Sequence, residues 1–158
     1  MIIQIEFYQL IDTCSIFAKT KFLEMLKDID EPEFDGVGVA VIHETNDKDE
    51  LIWNVYLINF NNETLTGVLV SSKGYGNING EHRESSTLRH FLDTIEPLSY
   101  LKIEPIIEDV FVLNNEYWLS FYLNGKIYDR KFVFIENTIN KDRLQHINII
   151  DKNGMLLM

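Results

Sequence analysis

The dipeptide Asn124-Gly125 separates two alternating runs, residues 117–123 and 126–134. A two-residue Asn-Gly loop suits a type I′ turn, because both central residues take φ > 0 and the turn matches the twist of paired strands. Setting Leu123 opposite Lys126 fixes the register. Tyr117 then opposes Phe132, Leu119 opposes Arg130, Phe121 opposes Tyr128, Trp118 opposes Lys131 and Tyr122 opposes Ile127. Tyr117, Leu119, Phe121, Leu123, Tyr128 and Phe132 share one face, since side chains alternate along a strand. The hairpin points to an antiparallel β protein and away from enzyme folds built on parallel sheets.

The rest of the chain reads in the same way from Gly36 onward. Val37, Val39 and Val41 alternate with Gly38, Ala40 and Ile42, and 45–50 is a polar turn. Residues 51–60 are apolar on both faces, with Trp53, Val55 and Leu57 on one and Ile52, Tyr56, Ile58 and Phe60 on the other, as in a central covered strand. After a turn at Asn61-Asn62, 65–72 is a strand, and Gly74 to Gly80 reads as a flexible hairpin or a contact loop presenting Tyr75. Residues 85–95 fit a strand or a short helical turn. In 100–107, Pro105 removes a ladder donor and marks a sheet edge or a strand end. Asn114-Asn115 reads as a turn, 144–150 as a strand and Asn153-Gly154 as a further turn. Strands at this spacing, with Asn/Gly turns, predict an antiparallel two-sheet sandwich of immunoglobulin-like type.

Residues 1–35 form a separate arm in this reading. A strand over 2–11 leads to a helix capped by Thr13, with Ala18, Phe22, Met25 and Ile29 at helical spacing. Residues 28–35 are acidic, contain Pro32 and read as a linker. That gives an N-terminal arm over 1–35 and a sandwich over 36–158. The helix face packs on its own sheet or exchanges between copies of the chain, which makes a homo-oligomer through the arm one reading. Met25 precedes the linker, and a second reading makes residues 1–24 dispensable.

The chain of 158 residues has a net charge of -11, which disfavours a surface built to neutralise nucleic-acid phosphates or anionic lipid. No apolar run approaches the ~20 residues that cross a bilayer, and the N-terminus lacks the basic flank of a signal peptide. Cys14, alone, forms no intrachain disulfide, in keeping with a cytoplasmic location.

Few residues carry a chemical signal. Gly74 to Gly80 does not match a dinucleotide fingerprint, and no Lys-Ser/Thr follows. His43, His82, His90 and His146 have no metal-ligand spacing, so no metal or cofactor is expected. Lys73, His82, Arg83, Arg89 and His90 form the locally basic stretch of an acidic chain. These charges either pair with Glu81, Glu84 and Asp93 or bind a protein partner or a small anionic ligand, with Tyr75, Arg83, Arg89 and His90 as contacts. Arg89 is the anion clamp in that reading, because its guanidinium presents a planar fork of donors. Glu104, Glu108 and Asp109 either solvate a turn or, with His90, supply acid/base groups to a small enzyme.

Trp53-Asn54-Val55-Tyr56-Leu57-Ile58-Asn59, Ser72-Lys73-Gly74-Tyr75-Gly76 and Ser86-Thr87-Leu88-Arg89-His90-Phe91, continued by Ile103-Glu104-Pro105-Ile106 and Asn115-Glu116-Tyr117-Trp118, resemble a family of small uncharacterised bacterial proteins. Some members are labelled phenylalanyl-tRNA synthetase alpha subunit. The resemblance covers about residues 36–158, implies a single domain there and carries no catalytic residue onto this chain. Three expectations follow: a non-catalytic binding or assembly module, a small enzyme using Glu104, Glu108 or His90, or a synthetase-related accessory that touches tRNA.

Overall fold

A computed structural model describes residues 35–158, and the expected N-terminal strand and helix lie outside them. Glu33–Met158 is one compact unit. Its strands are β1 (Val37–Thr45), β2 (Leu51–Asn59), β3 (Leu65–Ile78), β4 (Glu81–Glu84), β5 (Leu88–Ile95), β6 (Ser99–Ile106), β7 (Asn114–Leu123), β8 (Lys126–Phe134), β9 (Gln145–Ile147) and β10 (Lys152–Leu157). They build two antiparallel sheets. The first has the order β6-β2-β1-β10-β9; the second has β4-β3-β7-β8, with β5 also paired to β3. No helix among the described residues is long and apolar enough to cross a membrane.

The β7–β8 hairpin has the predicted register, with Tyr117 opposite Phe132, Phe121 opposite Tyr128 and Leu123 opposite Lys126. Asn124 and Gly125 both take positive φ, at 51° and 75°. Alternation then decides what is buried. Tyr117, Leu119, Phe121, Leu123 and Phe132 point inward and meet Val37, Val39, Val41, Trp53, Val55 and Leu57 from the first sheet in one core. Burying a side chain of that size contributes about 1.5–3 kcal/mol, so this inter-sheet layer is the main source of stability. The opposite face of the first sheet carries a second cluster: Ala40, Ile42, Ile58, Ile147 and Ile150, with Tyr56 and Phe60 packed against it. That is why β2 is apolar on both faces. Pro105 sits on β6, an edge strand, as its missing donor requires.

One local ambiguity is resolved and several local expectations change. Within the segment 85–95, Leu88–Ile95 form a strand, β5. Gly74, Tyr75 and Gly76 are not a loop: β3 runs through them, and only Asn79-Gly80 turns, with φ of 54° and 84°. Their ladder partners explain the difference, because Gly74 pairs with Asn115 and Tyr75 with both Asn114 and Glu84. The Asn114-Asn115 turn is for the same reason the start of β7. Near the C-terminus the strand over 144–150 is shortened to β9, and the turn falls at 148–151, where Ile150 and Asp151 N–H groups bond the Ile147 carbonyl. Asn153-Gly154 lies within β10. Gly154 is required there by close approach, since a Cβ would fall 2.6 Å from the Val41 carbonyl oxygen and 2.5 Å from Ile42 Cδ1.

One buried polar cluster ties β1, β2 and β10 together. The Glu44 carboxylate accepts from Asn54 Nδ2 and Tyr56 Oη, both at 2.6 Å, and is paired with Lys152. Burial opposes its ionisation, but the bonds from Lys152, Tyr56 and Asn54 outweigh burial and hold it below the ordinary value of 4.5. A depressed carboxylate contributes stability that is present above its unfolded pKa and is lost as pH falls through the folded one. In chemical denaturation from pH 6 to 3, wild type should therefore lose stability more steeply below about pH 4.5 than Glu44→Gln does. Parallel profiles would show that Glu44 adds nothing to acid sensitivity.

Candidate functional site

Strand β5 is the element on which the predicted contact residues divide. It lies at the edge of the second sheet, and its residues alternate. Arg89, Phe91 and Asp93 are exposed, while His90 and Leu92 turn inward. Arg89 and His90, adjacent in sequence, therefore serve opposite faces.

On the outer face, Arg89 pairs through Ser71 to Trp118 and then Lys131. The next row is Phe91, Leu69, Ser120 and Asp129. Tyr122 and Ile127 follow, and Lys73 with Glu116 lies on the other side of the Arg89 row. Phe91 is 68% exposed, Ile127 54%, Tyr122 49%, Trp118 47% and Leu69 40%. Five large apolar side chains thus stand in neighbouring cross-strand positions in water. The cations among them differ. Lys131 Nζ lies 2.9 Å from Glu116, whose carboxylate raises the lysine's pKa, and stands 5.9 Å from the Trp118 ring centre. Lys73 reaches Glu84 at 3.4 Å and stands over the Tyr75 ring. The Arg89 guanidinium makes no hydrogen bond or ion pair among the described residues.

Tyr75 shares this outer face, further along β3. Arg83 pairs with Gly76 in the alternate register and is bound to Glu81 at 2.9 Å. Of the four predicted contacts, the structure places Tyr75 and Arg89 on one surface and separates Arg83 and His90 from it. Trp118, Phe91, Leu69 and Ile127 were not singled out from sequence. The signal was present in the hairpin register, which sets Trp118, Tyr122 and Ile127 on the face opposite the core.

On the inner side, His90 Nε2 lies 2.8 Å from Glu104 Oε2. The two residues stand on β5 and β6, the edge strands of the two sheets, and join them. Tyr117 from β7 is close by; burial and then the Glu104 charge push its phenol up, so it stays protonated. Beside this trio is a cavity of about 270 Å³ between the sheets. Ser72, Asn115 and Tyr117 line it from β3 and β7, Glu104 and Ile106 from β6, and Leu88 from β5.

Glu108 is not part of this group. It lies in a 3-10 turn, Glu108–Val110, where it accepts from Trp53 Nε1 at 2.9 Å and faces Lys141 at 3.2 Å. The bonds from Trp53 and Lys141 hold its carboxylate below the ordinary value. His43 stacks on Trp53 with ring centres 4.3 Å apart, and burial and Lys141 lower its pKa against a smaller opposing pull from Glu108. No group of three or more His, Cys, Asp or Glu among the described residues is placed to hold a metal ion.

No protein-family model matches the chain, and no curated protein matches its sequence.

Proposed function

We propose that the domain is a non-catalytic binding module, an immunoglobulin-like sandwich that captures a protein partner on the outer face of β5, β3, β7 and β8. The observation that carries this reading is the set of exposed apolar side chains around Arg89. Contiguous apolar surface rimmed by polar groups is characteristic of interaction sites, and Trp, Tyr and Arg contribute most of the binding energy in such sites. The partner's contact surface should carry a carboxylate among apolar groups. The carboxylate would take the guanidinium fork, and the apolar groups would cover Phe91 and Trp118. The reading sets the protein in the cytoplasm and takes the likeness to the small bacterial family only for the extent of the domain.

The 2.8 Å contact of His90 and Glu104 favours a second reading, a small enzyme with these two as acid and base. It has less support than the first, because the pair joins the edge strands of the two sheets and so has a structural role of its own. A tRNA-touching accessory has less support: Lys73 and Lys131 are both paired with carboxylates, and the chain's net charge is -11.

A photoreactive side chain at Phe91 should give a discrete crosslinked adduct in the protein's own cell, and the same group at Asn153 should not. Adding Arg89→Ala should reduce the Phe91 adduct by about tenfold, the loss of one charged anchor. Equal crosslinking from both positions, or an adduct indifferent to Arg89→Ala, would remove the reading.

A further inference from the structure

The cavity beside Glu104 has unfilled hydrogen-bonding capacity, most of it accepting. Asn115 is 5% exposed, and its Nδ2 donates to the carbonyls of Val110 and Leu113, both at 2.9 Å. Both donors are thereby used, and the contact with two carbonyls fixes which way the amide points. Its Oδ1 accepts no hydrogen bond among the described residues. Glu104 takes one hydrogen bond, with His90, yet a carboxylate offers about four acceptor sites. Ser72, also 5% exposed, makes no side-chain hydrogen bond among the described residues. Ser85 is satisfied, accepting from Gly74 N–H at 2.8 Å and donating to the Ser86 carbonyl at 3.0 Å. Apart from Ser86, the remaining walls are mainly apolar, from Leu88, Pro105, Ile106 and Val110. Lys73, at the rim, is drawn away by Glu84 and Tyr75.

Two open acceptors, one of them charged, at the end of an apolar cavity call for a ligand with several donors and a positive charge on an apolar body. We propose that this inter-sheet cavity is a binding site for a small organic amine, with the ammonium held by Glu104 and Asn115 Oδ1 and the hydrocarbon between Leu88 and Ile106. The volume, about 270 Å³, suits a compact ligand below drug size. The net charge of -11 raises the local concentration of cations. A charge-assisted bond to a desolvated carboxylate is stronger than a neutral one, which sets the selectivity. This site is separate from the outer face around Arg89 and does not depend on it.

The probe series is phenethylamine, 2-phenylethanol and 3-phenylpropionate, which share a ring and differ in the polar end. Backbone amide shifts and calorimetry on the full chain should show saturable phenethylamine binding, with shifts at Ser72, Leu88 and Ile106. The alcohol should bind about tenfold more weakly, and the acid should not bind. Glu104→Gln should lose about tenfold or more in amine affinity. Because Glu104 also links the sheets, Leu88→Trp provides an independent test: it fills the mouth from an exposed position and should abolish amine binding while thermal unfolding is unchanged. Equal binding of all three compounds, shifts confined to the Phe91–Trp118 face, or full amine affinity in Leu88→Trp would each overturn the assignment.

Discussion

Phe121→Ala will destabilise the domain by about 3–5 kcal/mol, while Tyr122→Ala, one residue on, will change stability by about 0.5 kcal/mol or less. Phe121 is 0% exposed and stacks on Tyr128 with ring centres 5.6 Å apart and planes inclined by 15°. It is part of the inter-sheet core, so truncation removes apolar burial and leaves a void that the neighbouring strands cannot close. Tyr122 points to the other face and is 49% exposed. Urea denaturation measures both; the midpoint should fall in the first variant with the slope retained, and stay in place in the second. Similar losses from both would contradict the alternation along β7.

Asn59→Ala should cost about 3 kcal/mol, and Asn59→Asp more, since stranding a buried polar group costs about 1–3 kcal/mol and more for a charge. Asn59 is 0% exposed at the end of β2. Its Nδ2 donates to the carbonyls of Glu63 at 2.8 Å, Glu96 at 3.0 Å and Ile95 at 3.3 Å. Its Oδ1 accepts from the Asn61 N–H and side chain, both at 3.0 Å. One amide thus secures the crossing from β2 to β3 and the end of β5. Truncation leaves more than one carbonyl without a donor. Aspartate keeps the shape but sets a carboxylate against three carbonyls, which is why the closer isostere should be worse. The same denaturation experiment decides; a larger loss in Ala than in Asp would contradict the hydrogen-bond account.

Much of this architecture was legible because it rests on local rules. Asn124-Gly125 set the hairpin register, Pro105 marked an edge, and the two apolar faces of 51–60 gave a covered strand. Glycine was the least readable residue. Gly154 resembles a turn signal after Asn153, but it is needed because β1 passes too close for a Cβ. Gly74 and Gly76 look like loop residues, yet pairing with Asn115 of β7 and Arg83 of β4 keeps them in β3. A sequence window does not show that kind of crowding, which comes from strands far away in the chain.

The candidate site was legible by residue type but not by arrangement. The basic stretch around 73–90 was visible, and so were Glu104, Glu108 and His90 as acid/base residue types, but not their separation in space. The crossing from β5 to β6, between sheets, brings His90 to Glu104 and leaves Glu108 with Trp53 and Lys141. Strand pairing likewise sends Arg89 and His90 to opposite faces once 85–95 is known to be a strand. The ambiguity between strand and helical turn there is what hid the division of the site.

The outer face and the inner cavity both depend on how β5 presents its side chains, and a labelling scan tests that directly. In a Cys14→Ser background, single substitutions Arg89→Cys, His90→Cys, Phe91→Cys and Leu92→Cys are reacted with a small maleimide under native conditions. Fast labelling at 89 and 91 with slow labelling at 90 and 92 is the predicted result. Uniform rates, or the opposite phase, would contradict both the outer binding face and the inner cavity.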